Sequence, residues 1–310
     1  MGVGGRTMAG GPADTTGWLD KKGIFWFLLL TFGITWGIEL AMILRWHVSF
    51  VAIPPFQAQL IVAAVMFAPA LAAFITARFI AREGFGRTGL RFGPFRAYLQ
   101  VYLLIPTMFV AAYGVTWLLG LGKPDWALSG FMKSVESSFP TGKATAPMPP
   151  ASTVLLGIAL GSITLAPVIN SLFAFGEEFG WRGYLLPKLM PLGKGRAMII
   201  SGIIWGLWHA PIVAVGFNYP GYPVLGVLLM ILLTTFMGVY LAYLRLEFDS
   251  AVLASFGHGV FNAQGYGIWR LLFPAVNPVL GGFTGVIGLL VQFAVAAWAY
   301  RKIRTTSNFL

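Results

Sequence analysis

Eight apolar runs, each long enough to cross a lipid bilayer as a helix, constrain this chain more than any other feature. A hydrocarbon core about 30 Å thick is crossed by about 20 apolar residues in a helix. Only 10% of the 310 residues are charged and 57% are hydrophobic, so the charges are too few to cover a water-exposed surface. This balance excludes a soluble enzyme, a disordered chain and a nucleic-acid-binding domain. The predicted spans are 24–44, 56–77, 98–120, 152–176, 197–217, 223–244, 250–268 and 279–300.

The basic residues predict how these spans are oriented. With loops assigned alternately from a cytoplasmic N-terminus, 15 Lys and Arg lie on the cytoplasmic side and 5 on the other, with Arg182 set aside. This bias follows the positive-inside rule and accounts for the net charge of +11 without a nucleic-acid partner. We therefore expect a multi-pass protein of the cell membrane with both termini in the cytoplasm. The first span is too long for a signal-peptide core and should be retained.

The chain is predicted to form one membrane domain. The cytoplasmic N-terminal segment is 1–23, the eight-helix domain is 24–300, and the cytoplasmic C-terminal tail is 301–310. The longest connector, 121–150, is polar and contains proline, so we expect an external loop or a short surface helix.

Three polar clusters interrupt the apolar helices. They are Gly176–Arg182 late in the fourth helix, Trp205–Pro211 in the fifth and His258–Asn262 in the seventh. Ionisable groups inside a membrane are costly and are by default candidates for function. The clusters therefore predict that the helices enclose an intramembrane polar cavity.

The spacing of the polar residues predicts which of them lie on the same face of a helix. Glu178 and Arg182 are i,i+4 neighbours, which predicts an intrahelical ion pair. Glu177 is rotated by about 100° from Glu178 and is free to point elsewhere. His258 and Asn262 are also i,i+4 neighbours, so one helix face presents an imidazole and an amide.

Depth predicts that the clusters meet. At a rise of 1.5 Å per residue, Glu177, His209 and His258 each lie about 14–20 Å along the helix from a charge predicted to be cytoplasmic. Three helices thus carry polar groups to a similar depth, which favours one shared site. Pro211 has no N–H for the Leu207 carbonyl, so we expect a kink beside His209.

A carboxyl group and imidazoles in a membrane cavity suit hydrolysis of an amide bond. Glu177 is predicted to be a general base on a water molecule that His209 holds or polarises. His258 and Asn262 are predicted to donate hydrogen bonds to the oxyanion that develops on the scissile carbonyl. The predicted supporting residues are Glu178, Arg182 and Trp205.

Alternatives remain at this point. A zinc-dependent version would use Glu177, His209 and His258 as ligands, with an open position for water. A non-catalytic membrane scaffold or immunity protein, or a transporter, would also carry broken helices with polar groups. Cysteine, HExxH, mid-span aspartate and GxSG signatures are absent, which disfavours other protease chemistries. Glu39 lies near a span end and is expected to snorkel to the interface.

Over about residues 150–268 the chain resembles the CAAX prenyl protease/bacteriocin-processing (CPBP, or ABI) intramembrane endopeptidases. The family pattern is E-E-x-x-x-R, then aromatic-x-x-x-H, then H-x-x-x-N, matched by 177–182, 205–209 and 258–262. The resemblance implies an eight-helix fold, a glutamate-activated water assisted by His209, and an oxyanion site from His258 and Asn262. The predicted substrate is a membrane-embedded or lipid-anchored peptide, and no cofactor is expected, with zinc as the alternative. The prenyl-protease branch usually has Phe where this chain has Trp205.

Overall fold

The computed structural model describes residues 19–46, 55–137 and 149–305, and over these residues the chain is helical and contains no strand. The helices are α1 (Lys21–Trp46), α2 (Pro55–Met66), α3 (Ala68–Ile75), α4 (Phe95–Leu118), α5 (Ser129–Ser137), α6 (Ala151–Ile163), α7 (Leu165–Glu178), α8 (Leu186–Leu189), α9 (Lys194–Trp208), α10 (Ala210–Ala214), α11 (Pro223–Phe248), α12 (Ala251–Gly265), α13 (Ile268–Leu272) and α14 (Val286–Thr305). A π-helix, Thr76–Ala81, extends α3, and a second one, Phe179–Leu185, joins α7 to α8. The all-α, multi-pass membrane class predicted from the sequence is confirmed.

Five described stretches are long and apolar enough to cross a membrane. They lie in α1, in the continuous stretch Leu60–Ala81, and in α4, α11 and α14. A sixth crossing is formed if α6 and the stretch Leu165–Leu192, which are bent by 44° relative to each other, count as one span. The predicted total of eight crossings stays a prediction.

The predicted fifth and seventh spans are the two that are too short for this test. Both α9 and α12 contain 15 residues, or about 22 Å of helix, against a hydrocarbon core of about 30 Å. α9 ends at Trp208 and α10 begins at Ala210, so the kink expected from Pro211 is present as a break at His209. α12 begins after Ser250, whose hydroxyl oxygen accepts a hydrogen bond from the Leu253 N–H at 2.9 Å.

Contacts at one end of the bundle agree with the charge-derived topology. Arg91 Nη1 lies 2.8 Å from Asp249 Oδ2, which joins the second predicted cytoplasmic loop to the end of α11. Lys188 Nζ lies 2.5 Å from Asp20 Oδ2 and 2.7 Å from Glu83 Oε1. Segments predicted to share a side of the membrane therefore lie together in the fold. Within the connector 121–150, α5 matches the expected short helix, and residues 138–148 lie outside the described residues.

Two close helix pairs position the polar clusters. α7 packs along α12, and α9 packs along α11. A Cβ added at Gly202 would lie 2.6 Å from the Cα of Thr235, and one at Gly206 would lie 2.5 Å from the Cα of Ile231. The backbones of α9 and α11 therefore touch, as small residues allow in membrane helices. This contact sets where the side chains of Trp205 and His209 lie.

Candidate active site

Both glutamates lie where α7 changes its winding. α7 ends at Glu178, and the π-helix Phe179–Leu185 follows directly. A Cβ added at Gly176 would lie 2.6 Å from the Met66 carbonyl oxygen, so the end of α7 lies against the junction of α2 and α3. Both carboxyl groups are buried, with Glu177 3% and Glu178 0% exposed. π-Helical turns are rare and frequently occur at functional sites.

Glu178 holds two partners with one oxygen. Its Oε1 accepts a hydrogen bond from Arg182 Nη1 at 2.9 Å and another from His258 Nδ1 at 2.9 Å. The Glu178 and Arg182 side chains are fully buried, so the i,i+4 ion pair predicted from the sequence is present. The bond to His258 ties the end of α7 to α12.

Trp205 contacts Glu177 and also the two partners of Glu178, which are Arg182 and His258. Its indole N–H donates a hydrogen bond to Glu177 Oε2 at 2.6 Å. Its ring lies under the guanidinium of Arg182, with 4.3 Å from Cζ to the ring centroid, and 5.2 Å from the ring of His258. A Phe at this position would keep the ring contacts but could not donate to Glu177. Trp205 therefore supplies a hydrogen bond that the usual residue of the prenyl-protease branch lacks.

His209 lies at the break between α9 and α10. Its Nδ1 is 2.9 Å from the Trp205 carbonyl oxygen, and because a carbonyl only accepts, Nδ1 carries the proton. The Nε2 of the neutral ring is then a hydrogen-bond acceptor. The ring packs edge-on against Trp208, with centroids 4.6 Å apart, and is half-buried.

Asn262 lies one turn after His258 on α12 and is half-buried. Within the described residues, no side chain forms a hydrogen bond with its amide group. The structure thus connects six of the seven predicted residues and leaves Asn262 beside them. The connected residues are Glu177, Glu178, Arg182, Trp205, His209 and His258. Their catalytic and supporting roles stay predictions.

In the described part of the chain, no three His, Asp or Glu side chains are arranged to hold a metal ion. The zinc alternative, with Glu177, His209 and His258 as ligands, would have to use Nε2 of both imidazoles, because each Nδ1 already faces an oxygen acceptor. The nitrogen not bound to a metal often donates to such an oxygen, so this feature by itself suits either version.

The prediction for Glu39 was wrong. Its side chain is 1% exposed, and its Oε2 has no hydrogen-bond partner among the described residues. Glu39 follows Thr35 by one turn on the inner face of α1, and the Thr35 hydroxyl accepts a hydrogen bond from Trp208 Nε1 at 2.8 Å. Because α1 continues to Trp46, the carboxyl group lies about two turns before the helix end and faces the bundle.

Replacing Glu39 by Met is expected to raise the free energy of unfolding. A buried acceptor without a partner costs about 1–3 kcal/mol, and Met fills a similar volume without that cost. Thermal unfolding of the purified protein in detergent measures the effect. Glu136→Met, at an exposed position of α5, is the control and should leave the midpoint unchanged. A lower midpoint for the Glu39 variant would contradict this account of the residue.

Two features of the site were not predicted. The bond between Glu178 and His258 joins residues 80 positions apart, and no local pattern indicates it. The hydrogen bond from Trp205 to Glu177 could have been expected from the sequence, because a buried indole N–H usually finds an acceptor. Trp205 was instead predicted only as a supporting residue of unspecified contact.

Comparisons with known proteins show what this region is similar to. Residues 154–264 match the model of the Rce1-like family, described as type II CAAX prenyl endopeptidase Rce1-like. CAAX prenyl protease 2 of Methanococcus maripaludis is 43% identical over 44 residues, which cover 14% of this chain and 16% of that protein. The matched family region contains all seven residues of the candidate site. The resemblance seen in the sequence is confirmed: residues 154–264 are similar to the Rce1-like, type II CAAX prenyl endopeptidase family.

Proposed function

We propose that this chain is an intramembrane endopeptidase that hydrolyses a peptide bond of a membrane-associated substrate, including CAAX-type peptides. One observation carries the proposal: Glu177 is a buried carboxyl group held at 2.6 Å by an indole N–H, while the adjacent Glu178 is engaged by Arg182 and His258. The two neighbouring carboxyl groups thus have different surroundings. Glu178 is committed to ion pairing, which leaves Glu177 for acid–base chemistry. The match of residues 154–264 to the Rce1-like family model supports peptide-bond hydrolysis as the reaction class.

Glu177 acts as the general base in this proposal. It accepts a proton from a water molecule as the water oxygen bonds to the scissile carbonyl carbon. The carbonyl π-electrons move to oxygen and form a tetrahedral oxyanion. When that intermediate collapses, the C–N bond breaks and Glu177 returns the proton to the departing amine. The products are a carboxylic acid and an amine, which exchange one proton to become a carboxylate and an ammonium ion, and no other reactant is needed.

The imidazoles have separate tasks. His209 Nε2 accepts a hydrogen bond from the attacking water, because Nδ1 carries the proton toward the Trp205 carbonyl. His258 and Asn262 donate to the oxyanion. Since His258 Nδ1 faces Glu178, its Nε2 donates only when both ring nitrogens carry protons.

The reaction is proposed to take place in the cell membrane. The substrate is a membrane-embedded or lipid-anchored peptide, and the protein lies in the cell membrane with both termini in the cytoplasm. The observation that most Lys and Arg lie in segments that meet at one end of the bundle supports this orientation.

A direct test is cleavage by the purified full chain in liposomes. We expect a lipid-modified peptide ending in a CAAX sequence to be cut, with both products identified by mass spectrometry. In cells, comparison of protein termini between wild type and Glu177→Ala should reveal substrates. Complementation of a deletion by the Glu177→Ala protein would favour the non-catalytic scaffold. Uptake of a solute into the liposomes without any product peptide would favour the transporter.

Chelation separates the metal-free mechanism from the zinc version. Because the proposed nucleophile is activated by Glu177 rather than by a metal, we expect a chelator to leave kcat/KM unchanged. Metal content is measured on the same samples, and zinc is added back after chelation. Activity that is lost with the chelator and restored by zinc would replace the proposal with the zinc-dependent protease.

A further inference from the structure

A cavity far from the glutamates lies at the start of α9. Its volume is about 450 Å³, within the range of about 300–1,000 Å³ that small-molecule sites occupy. It is an open cleft between the turn that leads into α9 and the last turns of α14. The residues that line it include Gly193, Lys194, Gly195, Arg196, Tyr300 and Arg304.

The lining is cationic. Arg196 and Arg304 are exposed and positively charged, and no acidic residue is among the described residues that line the cavity. The guanidinium of Arg304 lies over the Tyr300 ring, with 5.7 Å from Cζ to the centroid. Three acidic residues at this end are engaged elsewhere: Asp20 and Glu83 with Lys188, and Asp249 with Arg91. The cavity therefore offers donors and positive charge to an anion.

The two walls are in direct contact at one point. A Cβ added at Gly195 would lie 2.5 Å from the Tyr300 hydroxyl oxygen, so the first turn of α9 touches the ring that projects from α14. The cations are thus held by two different helices around one space. This arrangement differs from a row of basic residues on a single exposed helix face.

We propose that this cavity binds the phosphate of an anionic phospholipid head group. Guanidinium groups match phosphate oxygens in geometry, and basic pockets between membrane helices on the cytoplasmic side recognise such head groups. The segments that form the cavity are both predicted to be cytoplasmic, at the depth where head groups lie. A bound phosphate bridges α9 and α14 and stabilises their contact. This inference does not depend on the proposed peptidase activity.

The test uses the full chain in nanodiscs. Discs of phosphatidylcholine alone are compared with discs that also contain phosphatidylglycerol, and the thermal midpoint and the retained lipid are measured, the latter by native mass spectrometry. The pocket variant is R196Q/R304Q, and the control is R96Q/R301Q, which removes two exposed charges from the same end outside the cavity. We expect the pocket variant to bind phosphatidylglycerol about 30-fold more weakly than wild type, and the control to bind it nearly as well as wild type.

Additional measurements distinguish a lipid head group from a soluble phosphate and from general surface charge. Inorganic phosphate and glycerol 3-phosphate are added to the protein in phosphatidylcholine discs. Stabilisation by either one equal to that by phosphatidylglycerol would overturn a lipid ligand in favour of a soluble phosphate. Equal losses in the pocket and control variants would show only general surface charge, which also overturns the proposal.

A charge-retaining variant guards against a loss of folding. Arg196 and Arg304 are exposed, so the midpoint in phosphatidylcholine discs should equal that of wild type. R196K/R304K keeps both charges and is expected to retain most of the lipid binding. If the Lys and Gln variants lost binding equally, charge recognition of the phosphate would be refuted.

Discussion

Glu177→Gln is expected to lower kcat for peptide cleavage by about 10²–10⁴-fold, the usual contribution of a positioned general base. The amide has nearly the same volume as the carboxyl group and can still accept the hydrogen bond from Trp205, so the thermal midpoint and KM should stay close to wild type. It cannot take up the proton of the attacking water. Steady-state kinetics with a lipid-modified peptide in liposomes, together with thermal unfolding, measure both properties.

A second variant tests how much the hydrogen bond from Trp205 to Glu177 contributes to kcat. Trp205→Phe removes the indole N–H that donates to Glu177 at 2.6 Å and leaves the aromatic ring under Arg182. We expect a smaller fall in kcat than for Glu177→Gln, with an altered pH profile of kcat and little change in the midpoint. A purely packing role for Trp205 would leave the pH profile unchanged. Full cleavage activity in Glu177→Gln would contradict the assignment of the base.

Arg182→Met is expected to destabilise the fold by about 3–5 kcal/mol, the usual cost of removing one member of a buried ion pair. Glu178 would keep only His258 as a partner, in surroundings where its side chain is 0% exposed. Its Oε2 already has no hydrogen-bond partner among the described residues, so the carboxylate has little other compensation. Unfolding in mixed detergent micelles measures the loss.

The double variant Glu178→Gln/Arg182→Met tests the cause. Gln removes the buried charge and can still accept the hydrogen bond from His258, so most of the lost stability should return. The four proteins form a double-mutant cycle with a large coupling free energy. Additive losses would show that Arg182 stabilises the fold through its contact with Trp205 rather than through Glu178.

Most of the site's composition could be predicted from the sequence because each feature is local. The ion pair between Glu178 and Arg182 follows from i,i+4 spacing, and the break beside His209 follows from a missing N–H at Pro211. The meeting of three helices followed from depth, since each rise is the same and the membrane sets a common reference plane. These arguments need no knowledge of which helix lies beside which.

The prediction for Glu39 failed because it depended on how a helix is rotated about its own axis. Glu39 lies near the end of α1 in sequence, yet the helix turns its carboxyl group toward the bundle rather than toward the interface. α9 and α12 read as spans by their apolar content; the break at His209 and the Ser250 cap leave each helix shorter than the hydrocarbon core, so these two crossings stay predictions. Hydropathy reports the average environment of a run and carries no information on its rotation about its own axis.

By itself, the sequence determined that this chain folds as membrane helices, which polar groups those helices carry to a common depth, and where one helix breaks. These follow from composition, spacing and the absence of a backbone donor at proline. Only the tertiary structure decided that Glu178 bonds to His258 and that Trp205 donates to Glu177, because such contacts depend on the close approach of backbones at glycines. A side chain's partner on another helix is set by how the two helices are rotated and offset, and that is fixed by packing over their whole length.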